Sequence, residues 1–357
     1  MDIRIPPASA IPTLYPPCLR ASVVNVFCHI KASTAIRSHP RTPREPLPAR
    51  GGSATWPGVP SLLPLSAGAG GLLRVGSYDQ LLASERFTAV ERFSDAFLEA
   101  HRIVLEPYAQ KWVEDPLHQW SRQWEYPWVL AAIEATCPAA GARWLDAGSG
   151  ATFFPFLIAE RWPGIRVACC DQDATLEPIV ASIAASRRAP VAFRAEPLGS
   201  VSTPPASFDG IYCISVLEHT HDHEAILDHF RTMLRPGGTL LLTFDVSLDG
   251  RSEIAPDGAA RLLDAVHARF EPVAAPTSQS FSTALTAPDV LTTAHFLGRR
   301  ARLLPWRLSR RFRLWSVLTG TLPGPPFCLY AVVCGAWRRP VDDEAPVRTS
   351  TAPATRT

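Results

Sequence analysis

The chain has 357 residues, of which 46% are hydrophobic, and a formal net charge of +2. That length allows one large domain or two small ones, and the charge gives no evidence for or against a polyanionic partner. The eight cysteines include no C-x-x-C pair, so we expect core thiols in a reducing compartment and neither a disulfide framework nor a zinc site. No apolar run approaches the roughly 18 to 20 residues of a membrane span. A cytoplasmic protein is therefore expected.

Residues 1–76 are dense in Pro, Ser, Ala and Gly and lack sustained helical or strand periodicity. Such a composition buries too little apolar surface to offset the entropy of ordering, which predicts a disordered extension. The segment is also poor in acids and contains several arginines, as organelle transit peptides do. We favour a disordered extension or an over-long start over a transit peptide.

Residues 77–128 are expected to form a helical cap. Apolar residues recur at helical spacing from Ser84 onward, which predicts a helix to about Pro107 and a second one around Trp112. The segment ends in a concentrated set of aromatic residues, namely Trp120, Trp124, Tyr126 and Trp128. Two interpretations of this set stay open: it packs the helices on the rest of the domain, or it walls a binding pocket.

A buried strand, a glycine turn and a helix follow one another directly after the cap. The strand is Arg143–Ala147, the turn is Gly148-Ser149-Gly150, and an apolar helix starts near Phe153. This arrangement points backbone N–H groups and a helix N-terminus at an open crevice. It differs from the dinucleotide fingerprint G-x-G-x-x-G, because Phe153 stands where the third glycine would be.

Strands and helices alternate through the following hundred residues. The predicted strands are 167–171, 191–194, one starting at 208, and 240–244, and the predicted helices are 173–186, 222–234 and 257–270. This order predicts an α/β fold with a doubly wound, mostly parallel sheet, whose ligands lie beyond the carboxyl ends of the strands. An apolar run over 327–337 predicts a last strand, and a polar tail over 341–357 is expected to be disordered.

Four motifs in this segment resemble those of the class I S-adenosylmethionine-dependent methyltransferases. The first is the strand ending in Asp146 with its G-x-G turn, and the second is the strand ending in Asp171. The third opens with Phe208-Asp209 and runs to Leu217-Glu218-His219, and the fourth is the turn 234–239 before the fifth strand. The resemblance covers roughly residues 125–247 and implies a seven-stranded sheet whose last strand is antiparallel.

The resemblance also implies roles for particular residues, with S-adenosyl-L-methionine as the cofactor. Gly148 and Gly150 would let the cofactor lie against the backbone, Asp146 would favour its cationic amino end, and Asp171 would accept hydrogen bonds from both ribose hydroxyls. Glu196 would lie near the adenine, although the wording around it departs from the family's. Ser149 and Ser215 complete the expected cofactor-binding set.

The stretch after the fourth strand, Glu218 to His223, contains three imidazoles and two carboxylates. A metal site is one interpretation, but we favour a strand end followed by a helix start that Asp222 caps, and we expect no metal. His219 is the candidate catalytic residue, as a general base or a group that orients the acceptor, because imidazole titrates near neutrality.

The variable region 277–322 of the domain, which spans 129–340, contains a basic segment from Arg299 to Arg313 without an acid. It predicts either a solvated arginine face on a lid or contact with an anionic membrane surface or a lipid-linked acceptor. We expect a methyltransferase for a small or intermediate-sized acceptor and no nucleic-acid partner, and the oligomeric state is left open. The rivals are a catalytically silent cofactor-binding protein and another S-adenosylmethionine-using transferase.

Overall fold

A computed structural model of the chain describes residues 71–252, 254–297, 300–306 and 327–341. Most of the expected extension and of the expected tail lies outside these residues. The predicted basic segment is described only over 300–306, where Arg300 pairs with Asp79 at 3.1 Å and lies over the Tyr78 ring.

The described residues form one seven-stranded sheet with the strand order β3-β2-β1-β4-β5-β7-β6. Its strands are β1 Arg143–Ala147, β2 Arg166–Asp171, β3 Val191–Ala195, β4 Phe208–Ile214, β5 Leu234–Ser247, β6 Glu271–Ala274 and β7 Tyr330–Arg338. Pairs among β1 to β5 are parallel, and β7 is antiparallel to both β5 and β6. The predicted doubly wound, mostly parallel sheet and its antiparallel last strand are confirmed.

Helices cover both faces of this sheet. They are α1 Val75–Leu82, α2 Glu85–Lys111, α3 Arg122–Ala135, α4 Phe154–Arg161, α5 Glu177–Arg187, α6 His223–Met233, α7 Pro256–His267 and α8 Ser278–Ala284. Buried residues of α1 to α5 form the core on one face, and those of α6 to α8 form the core on the other. All four members of the aromatic set belong to the first core and are at most 7% exposed, so they pack as the structural interpretation expected.

The prediction that a helix ends at about Pro107 is wrong, because α2 continues through this proline to Lys111. A proline inside a helix removes one N–H donor and crowds the preceding turn. Leu105 and Tyr108 on either side of it are buried in the core, and their packing supports the last turn. Trp112 ends this helix and starts no second one.

Residues 71–76, at the end of the expected extension, belong to the folded structure. Leu72 and Leu73 are 7% and 1% exposed. The Leu73 N–H donates to Val332 in β7, and its carbonyl accepts from Leu291 at 2.8 Å. This short segment joins β7 to the region after α8.

Candidate functional site

The glycine turn after β1 and the acid at the end of β2 lie together at the carboxyl edge of the sheet. The register pairs Ala147 with Cys170, so the turn begins directly beside Asp171. The Gly150 N–H donates to Asp171 Oδ2 at 3.1 Å, and the Asp173 N–H donates to Oδ1 at 3.0 Å. These two bonds fix the carboxylate while leaving lone pairs on both oxygens for further donors.

Both glycines of the turn are required by the backbone and by their neighbours. Gly148 and Gly150 have φ of +77° and +55°, in the left-handed region. A Cβ at Gly148 would lie 2.6 Å from Val216, and one at Gly150 would lie 2.6 Å from the Tyr108 hydroxyl oxygen. Val216 and Tyr108 therefore pack so closely against the turn that an alanine at either glycine position would clash with them.

The site holds two carboxyl groups with raised pKa values, the buried Asp146 and the half-buried Asp171. Burial raises the pKa of Asp146 well above its usual value, and the charge of Asp171 raises it further. Burial also raises the pKa of Asp171, although its backbone hydrogen bonds and the ammonium of Lys111 oppose the shift. A cationic ligand beside these two carboxylates would favour their ionised forms.

The last turn of α2 lies over this edge. Lys111 Nζ pairs with Asp173 Oδ2 at 2.7 Å, and the Trp112 indole N–H donates to the same oxygen at 3.3 Å. Hydrogen bonds from Lys111, Thr175 and Trp112 outweigh burial and lower the pKa of Asp173 to about 2. This end of α2, together with Tyr108, therefore anchors the helical cap beside the expected ribose carboxylate.

A buried hydrogen-bond network joins α3 to the ends of β4 and β5. Glu125, which is fully buried, accepts from the hydroxyls of Ser215 and Thr243 through Oε1, each at 2.5 Å. Its Oε2 pairs with Arg122 at 2.5 Å. The φ of Ser215 is +46°, a strained value for a residue with a side chain. Glu125 therefore fixes the hydroxyl of Ser215, the residue directly after β4.

Glu218 and His219 follow β4 in a short 3₁₀ turn, Leu217–His219, but they face opposite environments. Glu218 is 6% exposed and His219 is exposed. Glu218 Oε1 accepts from the Asp245 N–H at 3.2 Å, whereas its Oε2 is buried without a hydrogen-bond partner among the described residues. The inward-facing group of this motif is therefore the carboxylate, and the candidate catalytic imidazole points to the surface.

Two other expected cofactor residues bond to their own loops. The Ser149 hydroxyl donates to the Gly150 carbonyl at 3.0 Å. Glu196 directly follows Ala195, the β3 residue that pairs with Asp171, and its Oε2 accepts from the Ser202 N–H at 2.8 Å. Glu196 thus lies at the expected edge, and its assignment to the adenine stays a prediction.

The His-rich stretch after Glu218 forms the start of α6. Asp222 caps this helix by accepting from the Ala225 N–H at 3.2 Å, as predicted, and His223 Nε2 lies 2.9 Å from the Leu217 carbonyl oxygen. Over the described part of the chain, no group of three or more His, Cys, Asp or Glu residues is placed to hold a metal ion.

Comparison with known families gives one domain match, to the family described as "Methyltransferase domain", over residues 145–242. The chain carries a class I S-adenosylmethionine-dependent methyltransferase domain. The matched segment runs from β1 into β5 and contains the glycine turn, Asp171 and Glu218.

The chain is also similar to curated proteins over part of its length. The chain is 30% identical over 131 residues to the ubiquinone biosynthesis O-methyltransferase of Xylella fastidiosa, which covers 36% of this chain and 50% of that protein. It is 28% identical over 184 residues to an uncharacterized protein of Synechococcus, covering 49% and 43%. The chain therefore spans about half the length of the first curated relatives.

Among solved structures, the chain resembles the [4+2]-cyclase SpnF, with a TM-score of 0.41, 21% identity and coverage of 62% of this chain and 83% of the other. It also resembles a geranyl diphosphate C-methyltransferase of Streptomyces coelicolor, with a TM-score of 0.40, 13% identity and coverage of 60% and 83%.

The residues of the methyltransferase domain fit the cofactor of its class. Asp171 has free lone pairs for two ribose hydroxyls, and Asp146 and Asp171 together favour a ligand that carries positive charge. When bound, S-adenosylmethionine supplies a methyl group already activated on a sulfonium. The protein's task is therefore to hold the cofactor and the acceptor and to orient them toward each other, as the motifs predicted.

Sequence reasoning missed the residues that the cap contributes to this edge, which are Tyr108, Arg122 and Glu125. Glu125 and Arg122 lie within the aromatic stretch and are charged residues in an otherwise buried helix. Charged residues are rarely buried unless they are paired. The pattern could therefore have predicted a buried ion pair in this helix, but it could not have predicted the partners Ser215 and Thr243.

Proposed function

We propose that the protein transfers the methyl group of S-adenosylmethionine to a small or intermediate-sized acceptor at the carboxyl edge of its sheet. The observation that carries the proposal is the 3.1 Å bond between the Gly150 N–H and Asp171, which joins the glycine turn to the ribose carboxylate. In this proposal Asp171 binds both ribose hydroxyls, and Asp146 favours the cationic end of the cofactor.

Other parts of the chain orient the reactants and exclude water. Tyr108 packs on the Gly150 backbone, and Trp112 and Lys111 hold the end of α2 beside Asp173. Arg122, Glu125 and Ser215 form a fixed wall at the ends of β4 and β5. Precise positioning of an acceptor against an activated methyl group is the main requirement of this reaction class, and such a rigid wall meets it.

A hydroxyl is the first acceptor group to test, because the named curated relatives are O-methyltransferases. The chain covers only about half of those proteins, so their acceptor is a starting point for a panel. A catalytically silent protein that retains the fold is the second candidate function. The buried Oε2 of Glu218 has no hydrogen-bond partner among the described residues, which favours the active enzyme.

The test is transfer of a labelled methyl group from S-adenosylmethionine to a panel of phenols, alcohols, amines and carboxylates. We expect label in at least one acceptor and an equal amount of S-adenosylhomocysteine. Stoichiometric binding of S-adenosylhomocysteine without transfer to any member would instead support the silent binding protein. Absence of binding would contradict both functions.

A further inference from the structure

The carboxylate of Glu218 is buried and has no role in the proposed binding of the cofactor. Its Oε1 is fixed by the Asp245 N–H of β5, while Oε2 has no hydrogen-bond partner among the described residues. A buried acceptor atom without a donor carries a desolvation cost of about 1 to 3 kcal/mol, more if it is charged. A ligand that donates a hydrogen bond to this oxygen would remove that cost.

Glu218 lies at the carboxyl edge of the sheet, the edge that also holds the glycine turn. Its 3₁₀ turn directly follows β4, next to the β1 strand that carries the glycine turn. Ser215, three residues earlier, is held by Glu125 of the cap. Glu218 is thus anchored at one oxygen on a rigid segment, which is the arrangement expected of a group that acts on a bound substrate.

The charged and titratable groups around Glu218 set its protonation. Burial raises the pKa of Glu218 to about 7, against the attraction of His219 and Arg122, and the carboxylate of Glu125 contributes to the rise. Burial, followed by the charge of Glu218, raises the pKa of Cys213 in β4. The charges of Asp245 and Glu218 both raise the pKa of Arg122. A base whose pKa lies near the working pH is efficient at proton transfer.

We propose that Glu218 Oε2 is the general base for a hydroxyl-bearing acceptor, in place of His219. The inference rests on the proposed function. The acceptor O–H bond breaks and its proton passes to Glu218 Oε2. The oxygen lone pair forms the new O–C bond to the methyl carbon. The C–S bond breaks with its electron pair retained by sulfur, which leaves the methylated acceptor, S-adenosylhomocysteine and a protonated Glu218.

The test compares the full-length protein with Glu218→Gln, which keeps an oxygen for the Asp245 N–H but cannot accept the proton. Glu224→Gln is the matched control, because Glu224 lies on the exposed surface of α6 and pairs with Arg269. Calorimetry with S-adenosylhomocysteine comes first, and all three proteins are expected to bind it equally. Failure of the wild type to bind contradicts the proposed function, whereas failure of only the later steps contradicts the role of Glu218.

The second step titrates 4-nitrocatechol, a coloured hydroxyl probe, into the S-adenosylhomocysteine complex at pH 7. We expect the wild type and Glu224→Gln to bind it with equal affinity and Glu218→Gln to bind it at least tenfold more weakly, because the amide that replaces Oε2 cannot accept a hydrogen bond from the probe. Absence of probe binding by the wild type, or equal affinity in all three proteins, overturns the proposal.

The third step measures methyl transfer to a hydroxyl acceptor from pH 5.5 to 9. Because the base must be ionised, wild-type kcat is expected to fall below about pH 7, and Glu218→Gln is expected to lose at least 100-fold in kcat together with this pH dependence. Glu218→Asp, which keeps a shorter carboxylate, should retain the pH dependence at a lower rate. A wild-type rate and profile in Glu218→Gln, or transfer to amines alone, contradicts the proposal.

Discussion

Gly150 combines a strained backbone and a steric contact in one residue of the candidate site. Its φ of +55° favours glycine, and the Tyr108 hydroxyl lies where an alanine Cβ would approach to 2.6 Å. The left-handed conformation alone costs an alanine about 1 kcal/mol. Overpacking adds roughly 1 to 3 kcal/mol when the neighbours cannot move.

Gly150→Ala should therefore lower the free energy of unfolding by roughly 2 to 4 kcal/mol in urea denaturation. Gly250→Ala is the matched control, since Gly250 has a φ of +63° and nothing within 4 Å of an added Cβ, and it should cost only about 1 kcal/mol. In a Tyr108→Phe background the cost of Gly150→Ala should shrink, because the nearest clashing atom is gone. Equal costs at both glycines would contradict the close contact.

At the scale of elements, α2 is held to the segment before α3 by a histidine between two carboxylates. His118 Nδ1 lies 2.7 Å from Asp115 Oδ2, and Nε2 lies 3.1 Å from Glu91 Oε1 on α2. Its hydrogen bond to Asp115 raises the pKa of His118, burial opposes the rise, and Glu91 adds to it. The protonated imidazole thus ties two parts of the cap together.

A raised folded-state pKa stabilises the protein most below the ordinary histidine pKa of about 6.5, and this stabilisation is lost as the pH rises through the folded value. His118→Gln should therefore lower the free energy of unfolding by about 1 kcal/mol at pH 6 and by less at pH 9, measured in urea. Asp115→Asn should show the same trend. A His118→Gln effect that is independent of pH would rule out the charged linkage.

Local patterns predicted most elements, because their causes are local. Strands β1 to β4 follow from short apolar runs that end in an acid or a polar turn, and the Asp222 cap follows from its place before α6. The end of α2 was missed because the burial of Tyr108 depends on distant parts of the fold. The short β6 was missed because its four residues contain a proline and pair only with β7.

The candidate site was predicted in its backbone parts and missed in its side-chain orientations. Asp146, the glycine turn and Asp171 meet at one edge because parallel strands place their carboxyl ends together. The sequence does not show which side chain of the Glu218-His219 pair turns inward, since that depends on the twist of a single 3₁₀ turn. The pairing of Glu125 with Ser215 joins residues 90 positions apart and has no local signal.

At the scale of the whole molecule, the methyltransferase domain, the helical cap and residues 71–74 share their cores. Leu72 belongs to the core on one sheet face and Leu73 to the core on the other. Because these two residues lie in both cores, the segment before α1 contributes to the stability of the sheet it crosses.

No helix in the described ranges is both long and apolar enough to cross a membrane.

Leu73→Ala should lower the free energy of unfolding by roughly 2 to 4 kcal/mol, because it opens a cavity at a residue that is 1% exposed. The control is Ile103→Ala on α2, where the side chain is 80% exposed and the change should stay within about 0.5 kcal/mol. Both are measured by urea denaturation. A neutral Leu73→Ala would show that residues 71–74 are not part of the folded core.

The cofactor site at the turn and Asp171 is tested most directly by calorimetry with S-adenosylhomocysteine on the full-length protein. The wild type is expected to bind one equivalent, Asp171→Asn at least tenfold more weakly, and Asp257→Asn, an exposed change in the first turn of α7, with wild-type affinity. Absence of binding by the wild type, or equal affinity in Asp171→Asn, would contradict a cofactor site built on these residues.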